Sequence, residues 1–270
     1  MDIEYTLSSQ AKSNRMFSSY RDTEQFKIEN GYEIDGAWYP RVTKIVGIKA
    51  KPALLYYYAE APDYRSAKAS MEESAKEGTM VHEAAEAILL GKSPDVDPLI
   101  RPAIAALTDF LTHTKVDTRP ELVERRILNR DHRYAGTIDA LATIGGKFGV
   151  LDIKTSQAVY RDYNLQTAAY NEALKNEFPE LATRWILRLD QYQSCNRCSA
   201  TKRTKGGRVK VRRNGGGFVC GPTSHDWAEP KGVAELHEFP SWQSDFKAFL
   251  GAKQLWEWDN EDWLRQVGYC

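Results

Sequence analysis

The hydrophobic and polar positions divide the chain into a mainly helical first part and a mixed second part. Strong helix formers run with little interruption from about 63 to 91, where Gly91 and Pro94 end the run. The segment KPALLYYYAEA (51–61) predicts a short helix with a bulky apolar face, and residues 97–114 give another apolar helical pattern. These segments predict helices ahead of the first long strand.

The pattern changes to strands after residue 120. Three consecutive segments have strand character, and they are ELVERRILN (121–129), YAGTIDALATI (134–144) and FGVLDIKTS (148–156). The tripeptide GGK (145–147) is a tight-turn signal between the last two. The segments that follow are a helix (160–178), a strand (183–192), another strand (233–239) and a closing helix or helix pair (240–268). This order predicts an α/β fold with a mixed central sheet flanked by helices.

Two regions near the N-terminus are less regular. Residues 1–36 are polar and weakly patterned, which predicts a loose arm, and AWYPRVTKIVG (37–47) reads as a strand up to its glycine.

The 270 residues are 42% hydrophobic and 27% charged, which is typical of a soluble domain, and no run is long and apolar enough for a membrane span. With no secretory signal pattern at the start, we expect a cytoplasmic protein, bacterial or in a phage-infected host cell.

The segment GVLDIKTS (149–156) holds charged residues where a strand would normally be apolar. Side chains alternate along a strand, so Val150, Asp152 and Lys154 share one face, and Leu151 and Ile153 point to the other, core face. Asp152 and Lys154 are therefore expected to be displayed together near the strand's end.

A second aspartate lies one hairpin upstream, at Asp139 in GTIDAL. Pairing through the GGK turn would bring it close to Asp152, and two adjacent carboxylates are costly unless a cation joins them or one is protonated. Mg²⁺ and Mn²⁺ prefer such oxygen ligands, and Lys154 would stabilise a developing anion. The alternative is an ordinary surface Asp–Lys pair.

The segments GTIDAL, VLDIKT and LQTAAY together resemble the core of the PD-(D/E)XK nuclease superfamily, in its RecB-like and phage-exonuclease-like branch. The usual Pro-Asp is Ile138-Asp139 here, the D-x-K is intact, and a Q-x-x-x-Y motif is present. The branch also carries an upstream helical histidine and a glutamate on the first core strand. The matching residues are His82, Glu124 (with Glu121 as second choice), Asp139, Asp152, Lys154, Gln166 and Tyr170.

The resemblance implies a restriction-endonuclease-like fold and metal-dependent hydrolysis of phosphodiester bonds in DNA. Asp139 and Asp152 would bind Mg²⁺ or Mn²⁺, together with His82 and the backbone carbonyl of Ile153. Lys154 would assist the attacking water or the transition state. Glu124 would orient a water or help to bind a second metal, and Gln166 with Tyr170 would hold the site's backbone and the substrate phosphate. Each of His82, Glu124, Gln166 and Tyr170 also has a plain structural interpretation.

The C-terminal third contains all four cysteines, two of them in a C-x-x-C pair. The spacing C-x-x-C, long loop, C-x4-H predicts a tetrahedral structural zinc site of Cys195, Cys198, Cys220 and His225. A disordered loop with free thiols is the alternative. Some RecB-like nucleases hold an iron–sulfur cluster through four cysteines, one far N-terminal, and this chain has no cysteine before Cys195.

Between these cysteines lies KRTKGGRVKVRR, the densest positive segment of the chain. Its alternation of charge and valine predicts a β-hairpin with one basic face, suited to DNA phosphates or alternatively to solubility or a protein partner. The candidate DNA-binding residues are Lys202, Arg203, Lys205, Arg208, Lys210, Arg212 and Arg213. The zero net charge does not exclude such a local patch, because acidic residues elsewhere cancel it in the sum.

Taken together, the sequence predicts an N-terminal arm (1–36), a nuclease core (37–192 and 233–270) and a zinc-binding basic insert (193–232). The expected function is a DNA exonuclease in recombination, repair or phage DNA processing, alone, as a homo-oligomer, or beside a recombination protein or helicase. A structure-specific endonuclease and a non-catalytic DNA-binding or assembly protein are the alternatives. The tryptophan-rich end around Trp256 is expected to cap the core, rather than to stack on single strands.

Overall fold

A computed structural model of the chain describes residues 20–213 and 220–269. The described part forms eight α-helices and nine β-strands. The helices are α1 (Thr23–Asn30), α2 (Val42–Val46), α3 (Pro52–Glu60), α4 (Tyr64–Leu89), α5 (Arg101–Thr114), α6 (Asp162–Leu174), α7 (Gln243–Asp259) and α8 (Glu261–Gln266). The strands are β1 (Gly31–Ile34), β2 (Ala37–Pro40), β3 (Val123–Asn129), β4 (Tyr134–Ile144), β5 (Lys147–Lys154), β6 (Thr183–Ser194), β7 (Thr201–Lys205), β8 (Arg208–Arg212) and β9 (Lys231–Glu238).

Seven strands form one mixed sheet, and helices cover both of its faces. β3, β4 and β5 make an antiparallel meander, and β6 lies parallel to β5 after a crossover through α6. β9 pairs antiparallel with β6, and the end of β6 also pairs with β7, which continues into β8. The predicted α/β class with a mixed sheet flanked by helices is confirmed.

The turn between β4 and β5 fixes the register of the two strands. Gly145 and Gly146 both have positive φ, +59° and +78°, a conformation that glycine adopts without steric cost. The hairpin pairs Ile144 with Lys147 and, further along, Ala140 with Leu151. The predicted turn is therefore confirmed, and the next step along the ladder places Asp139 beside Asp152.

Two hydrophobic cores lie on opposite faces of the sheet. One includes Phe26, Phe249 and Val150, and the other, packed under α4 and α5, includes Leu107 and Leu151. Full burial of such side chains stabilises a fold by roughly 1.5–3 kcal/mol each. Because Val150 packs in the first core and Leu151 in the second, β5 is covered on both faces. The expectation of a single core face for β5 was incomplete.

The region predicted as a loose arm is folded where the structure describes it. α1 and β1 lie within residues 20–36, and Phe26 is fully buried in the first core. The arm prediction is therefore wrong for this part, and residues 1–19 lie outside the described residues. The 37–47 segment forms β2 followed by α2, rather than one strand. Buried residues at the helical spacing 42, 45 and 46 outweigh the strand propensity of Val and Ile there.

The helices α3 and α7 differ in how deeply they pack. α3 forms as predicted but has no buried residue, and Leu55 and Tyr56 on it are each 70% exposed. In α7, Trp256 belongs to the first core, as expected, whereas Trp258 is 73% exposed. Within the described residues, no helix combines the length and apolar character that crossing a membrane requires.

Candidate functional site

The two aspartates predicted to converge do so at the end of the β4–β5 hairpin. Asp139 Oδ2 accepts a hydrogen bond from the backbone amide of Ile153 at 2.5 Å. The Asp152 side chain is buried, with 1% of its surface exposed, against 17% for Asp139. The contact from Ile153 is made by its amide, while the metal-binding role of its carbonyl stays a prediction.

Lys154 provides the counter-charge for the buried carboxylate. Its Nζ lies 2.5 Å from Asp152 Oδ2 and 5.2 Å from the centre of the Tyr163 ring. The approach to Oδ2 has the distance of an ion pair without the angles of a hydrogen bond, so this buried oxygen has no hydrogen-bond donor. The anionic oxygen of Asp152 is thereby held directly against the ammonium group of Lys154.

The charges of this group are set by burial and by their proximity to one another. Burial raises the pKa of Asp152 to about 6 and also raises that of Asp139, while Lys154 acts in the opposite direction on both. Burial acts to lower the pKa of Lys154, but Asp152 and Asp139 outweigh it and hold that pKa above its usual value. Lys154 is therefore cationic at neutral pH.

Gln166 and Tyr170, one turn apart on α6, support Asp152 from behind. Gln166 Nε2 donates to Asp152 Oδ1 at 3.1 Å and to the Tyr170 hydroxyl at 2.9 Å. Tyr170 is 2% exposed, and its ring fills the space beside Gly136 of β4. Burial of the Tyr170 hydroxyl means that it positions Gln166; the expectation that Tyr170 contacts a substrate phosphate does not fit this geometry.

His82 reaches the same site from α4. Its Nδ1 lies 3.8 Å from Asp139 Oδ1, and its side chain is 33% exposed. Burial, with a further contribution from Lys154, lowers the pKa of His82. The imidazole is therefore neutral at pH 7, which is the protonation state that binds a metal.

Glu124, at the start of β3, faces the same region from the opposite side. Its pKa is raised to about 7, first by partial desolvation and then by the nearby carboxylates of Asp139 and Glu86, although the side chain is exposed. Glu124 also has φ +48°, a rare conformation for a residue with a side chain. The second choice, Glu121, is exposed and pairs with Arg119 at 3.6 Å.

An open cleft runs between α4 and the ends of β3 and β5, and it has two halves. The acidic half, about 440 Å³, is lined by Glu83, Glu86 and Glu124. The basic half, about 370 Å³, is lined by Lys154, Arg203 and Lys205. The residues common to both halves are Ser74, Ala75, His82 and Thr155. The cleft therefore offers a ligand cationic side chains in its basic half and carboxylates in its acidic half.

The structure brings the predicted zinc ligands together. Ligand atoms of Cys195, Cys198, Cys220 and His225 all lie within 4.8 Å of one another, and this cluster could hold a metal ion such as zinc. Across residues 20–213 and 220–269 it is the one group of three or more His, Cys, Asp or Glu side chains that close. His82, Asp139 and Asp152 are therefore neighbours without being gathered to the same degree.

Backbone contacts hold the cysteine cluster in shape. The backbone amide of Arg197 donates to Cys195 Sγ at 3.4 Å, and the backbone amide of Cys195 donates to the carbonyl of Ala200 at 2.9 Å. Burial acts to raise the pKa of Cys195, but the Arg197 amide and the neighbouring His225 outweigh it and lower that pKa to about 6. Cys195 is thereby prepared as a thiolate, the form that binds metals.

The basic segment forms the predicted hairpin, made of β7 and β8. Cross-strand neighbours share a face, so Arg203 and Lys205 lie on one side with Lys210 and Arg208 opposite them. Val209 and Val211, both exposed, lie on the other face. The one-sided basic face is confirmed.

The candidate DNA-binding residues nonetheless have different surroundings. Lys202 lies over the Trp227 ring on the valine face, and Arg208 pairs with Glu60 at 3.7 Å. Lys210 and Arg212 are exposed, and Arg213 follows the end of β8. Arg203 and Lys205 line the cleft beside Lys154.

Three features of the site were not anticipated from the sequence. They are the amide of Ile153 as a donor to Asp139, the acidic lining from Glu83 and Glu86, and the entry of the hairpin into the cleft. The position of Glu86 one turn after His82 on α4 was a usable signal. Nothing local indicated the hairpin's position, because it depends on contacts across more than 100 residues of sequence.

Comparison with protein-family models finds none that matches this chain, and no curated protein matches it either.

Proposed function

We propose that the chain is a metal-dependent deoxyribonuclease of the PD-(D/E)XK type. The observation that supports this most is the assembly of His82, Asp139, Asp152 and Lys154 from three elements, α4, β4 and β5, with His82 and Lys154 also lining the cleft. Buried ionisable groups with shifted pKa values, such as Asp139 and Asp152, concentrate where chemistry is done. Oxygens of buried carboxylates beside a lysine suit the hydrolysis of an anionic ester.

The residues fit a hard divalent cation. Asp152 Oδ2 is buried with Lys154 as its ionic neighbour, Asp139 Oδ1 faces a neutral His82, and carboxylate oxygens are the ligands that Mg²⁺ and Mn²⁺ prefer. Asp139, Asp152 and His82 would hold the ion, with the carbonyl of Ile153. A bound ion would act as a Lewis acid and lower the pKa of a water molecule.

The chain's own groups then have separate tasks. Glu124, with a pKa of about 7, accepts the proton of the attacking water as the water oxygen bonds to phosphorus and one phosphodiester oxygen leaves, taking a proton from solvent. Lys154 offsets the added negative charge on the phosphoryl oxygens. Gln166 fixes the orientation of Asp152 throughout.

The preference for DNA ends, and with it a role in recombination, repair or phage DNA processing, rests on the family resemblance. The same holds for a recombination protein, a helicase or further copies of this chain as partners. The structure-specific endonuclease differs from the exonuclease only in its substrate. Both readings use the same catalytic residues.

One observation favours a second function, a non-catalytic DNA-binding protein. Asp152 is almost fully covered, and Lys154 already neutralises it at 2.5 Å. In that case the pair would be a structural ion pair and the basic hairpin would carry the binding.

The test is cleavage of end-labelled linear DNA and closed circular DNA in Mg²⁺, Mn²⁺ or EDTA. Asp152→Asn keeps the size of the side chain while removing its charge, and Asp131→Asn is the matched control because Asp131 is exposed and away from the cleft. Metal-dependent loss of linear DNA by wild type and Asp131→Asn, absent in Asp152→Asn, supports a nuclease. Sparing of the circle selects the exonuclease, and binding without cleavage by folded wild type favours the second function.

A further inference from the structure

The tip of the basic hairpin is docked against α4, at the edge of the cleft. The Gly206 amide donates to Glu77 Oε1 at 2.7 Å, and Ser70 Oγ donates to the Gly206 carbonyl at 2.9 Å. A Cβ added to Gly206 would lie 2.3 Å from the backbone oxygen of Ser70, and its φ is +57°. The fit therefore depends on a glycine at this position.

Docking of Gly206 carries the preceding residue, Lys205, into the basic half of the cleft. Lys205 Nζ donates to the carbonyl of Thr155, directly after Lys154. Arg203, two residues earlier on the same face, donates to the same carbonyl at 3.3 Å. The strands β5 and β7, which are distant in sequence, thus both place cations in the basic half of the cleft.

The two hairpin cations that line the cleft, Arg203 and Lys205, differ in whether a carboxylate already neutralises them. Arg203 Nε contacts both carboxylate oxygens of Asp190, at 2.8 and 2.9 Å. Within the described ranges 20–213 and 220–269, Lys205 makes no ion pair with a carboxylate. Desolvation, and after it the charge of Arg203, lowers the pKa of Lys205 to about 8, so the side chain is still cationic at pH 7. A half-buried ammonium without a carboxylate partner is a site for an outside anion.

We propose that Lys205, in the basic half of the cleft that Lys154 also lines, forms a subsite for a backbone phosphate of nucleic acid and is held in place by the metal-binding insert. The inference rests on the proposed function, because it takes the cleft to be a nucleic-acid site. The exposed Lys210 does not share this position, because it lies on the same face of the hairpin but does not line the cleft.

The hairpin is anchored at both ends. At the tip, Gly206 contacts α4; at the base, Ser194 of β6 pairs with Thr201, next to Cys195 of the metal cluster. Filling the cluster with a metal fixes the base, and so fixes Lys205 through the short strand β7. The cysteine site thereby has a function at the cleft, although it lies outside it.

The experiment measures binding of a fluorescently labelled DNA duplex with a single-stranded overhang by anisotropy in EDTA-free buffer without divalent cations, at several salt concentrations. Lys205→Ala is expected to weaken binding about 10-fold and to lower the salt slope by about one ion, since one phosphate contact is lost. Lys247→Ala, the matched control, is expected to change affinity less than about 3-fold, because Lys247 is exposed on α7 and does not line the cleft. Lys205→Arg should restore most of the affinity, and Gly206→Ala should resemble Lys205→Ala.

Equal affinity of Lys205→Ala and Lys247→Ala would overturn the subsite. Inorganic phosphate is titrated as a second probe. If phosphate stabilises wild type but not Lys205→Ala, and wild type binds no DNA, the site belongs to free phosphate and the proposal is also overturned. Circular dichroism checks that each variant is folded.

Cleavage by wild type and Asp152→Asn, run in parallel with Mg²⁺, separates this inference from the proposed function. If wild type cleaves, Asp152→Asn does not, and Lys205→Ala binds normally, the inference fails alone. If wild type cleaves nothing but Lys205→Ala still binds about 10-fold more weakly, the nuclease fails and the phosphate subsite stands. If wild type binds no DNA, both fail.

Discussion

The backbone amide of Ile153 donates a hydrogen bond to Asp139 Oδ2 across 2.5 Å, and so joins β5 to the carboxylate of β4. Gln166, on α6, donates a hydrogen bond from its side-chain amide to Asp152 Oδ1. Each aspartate therefore has one oxygen fixed by a neutral donor. The other oxygens, Asp139 Oδ1 and Asp152 Oδ2, are those that lie towards His82 and Lys154.

Gln166→Ala tests this arrangement. Removal of the amide leaves Asp152 Oδ1 and the buried Tyr170 hydroxyl without their shared donor, so we expect a loss of about 1–3 kcal/mol in the free energy of unfolding. Urea unfolding measures it. Nuclease activity should fall by more than the fraction of unfolded protein explains, because Asp152 is no longer oriented.

The control for that variant is Gln254→Ala on α7, where the side chain is exposed. It should change the free energy of unfolding by less than about 0.5 kcal/mol. A Gln166→Ala variant as stable and as active as Gln254→Ala would show that the hydrogen bonds to Asp152 and Tyr170 do not position the site.

Metal at the cysteine cluster is the second prediction. Purified protein should contain about one zinc per chain, and Cys198→Ala should lose it, because four ligands are needed for a closed tetrahedral site. Metal analysis measures this, and a brown preparation containing iron would contradict it. The variant His113→Asn, which removes an exposed imidazole on α5, should retain the zinc.

Loss of this metal should leave most of the fold intact. Cys195, Ala200 and Cys220 form a small cluster of their own, separate from the two large cores. Limited proteolysis of Cys198→Ala should cut first within the insert, while the far-ultraviolet circular dichroism stays close to that of wild type. Unfolding of the whole chain would mean that the insert stabilises the sheet as well.

The sequence was most informative where the pattern is local. β4 has the predicted bounds, and the hairpin through Gly145 and Gly146 brings Asp139 and Asp152 together as expected. The i, i+4 spacing of Gln166 and Tyr170 likewise placed them on one helix face. Strand alternation, glycine turns and helix periodicity are set by neighbouring residues, so they can be predicted without knowledge of tertiary contacts.

Contacts between segments that are distant in the chain could not be predicted from the sequence in this way. Phe26 appeared to belong to a polar arm, yet it is fully buried against helices from the other end of the chain. The entry of Lys205 into the cleft depends on Gly206 meeting α4, which no local pattern encodes. A buried position for Asp152 also required both faces of β5 to be covered, and that is a property of the whole sheet.

Lys205 gives a prediction about pH. Its pKa is about 8 in the folded chain against 10.5 in the unfolded chain, so the unfolded chain binds more protons between these values and stability rises with pH there. At pH 7 the folded chain carries the full cost of the buried charge. Lys205→Met keeps the apolar stem and removes that cost, so we expect it to be more stable at pH 7 by about 1–2 kcal/mol, after allowance for solvent screening.

The gain should shrink as pH rises from 8 and disappear near 10.5, where the wild-type lysine is neutral in both states. Urea unfolding at pH 7 and at pH 10 measures the two ends. Lys210→Met, at an exposed position, should show no such dependence. A gain that is the same at both pH values would mean that Lys205→Met acts through packing and not through charge.

Gly136 of β4 couples packing to the site. A Cβ there would lie 2.7 Å from Cε1 of the buried Tyr170 ring, so Gly136→Ala must displace a residue that holds Gln166. We expect a loss of about 1–3 kcal/mol in the free energy of unfolding, typical of overpacking, and a fall in activity. Gly251→Ala, in the exposed face of α7 with nothing within 4 Å, should instead stabilise the helix by up to about 1 kcal/mol. Urea unfolding of the two variants side by side separates overpacking from the general effect of replacing glycine, and equal gains would show that Tyr170 can move freely and does not fix Gln166.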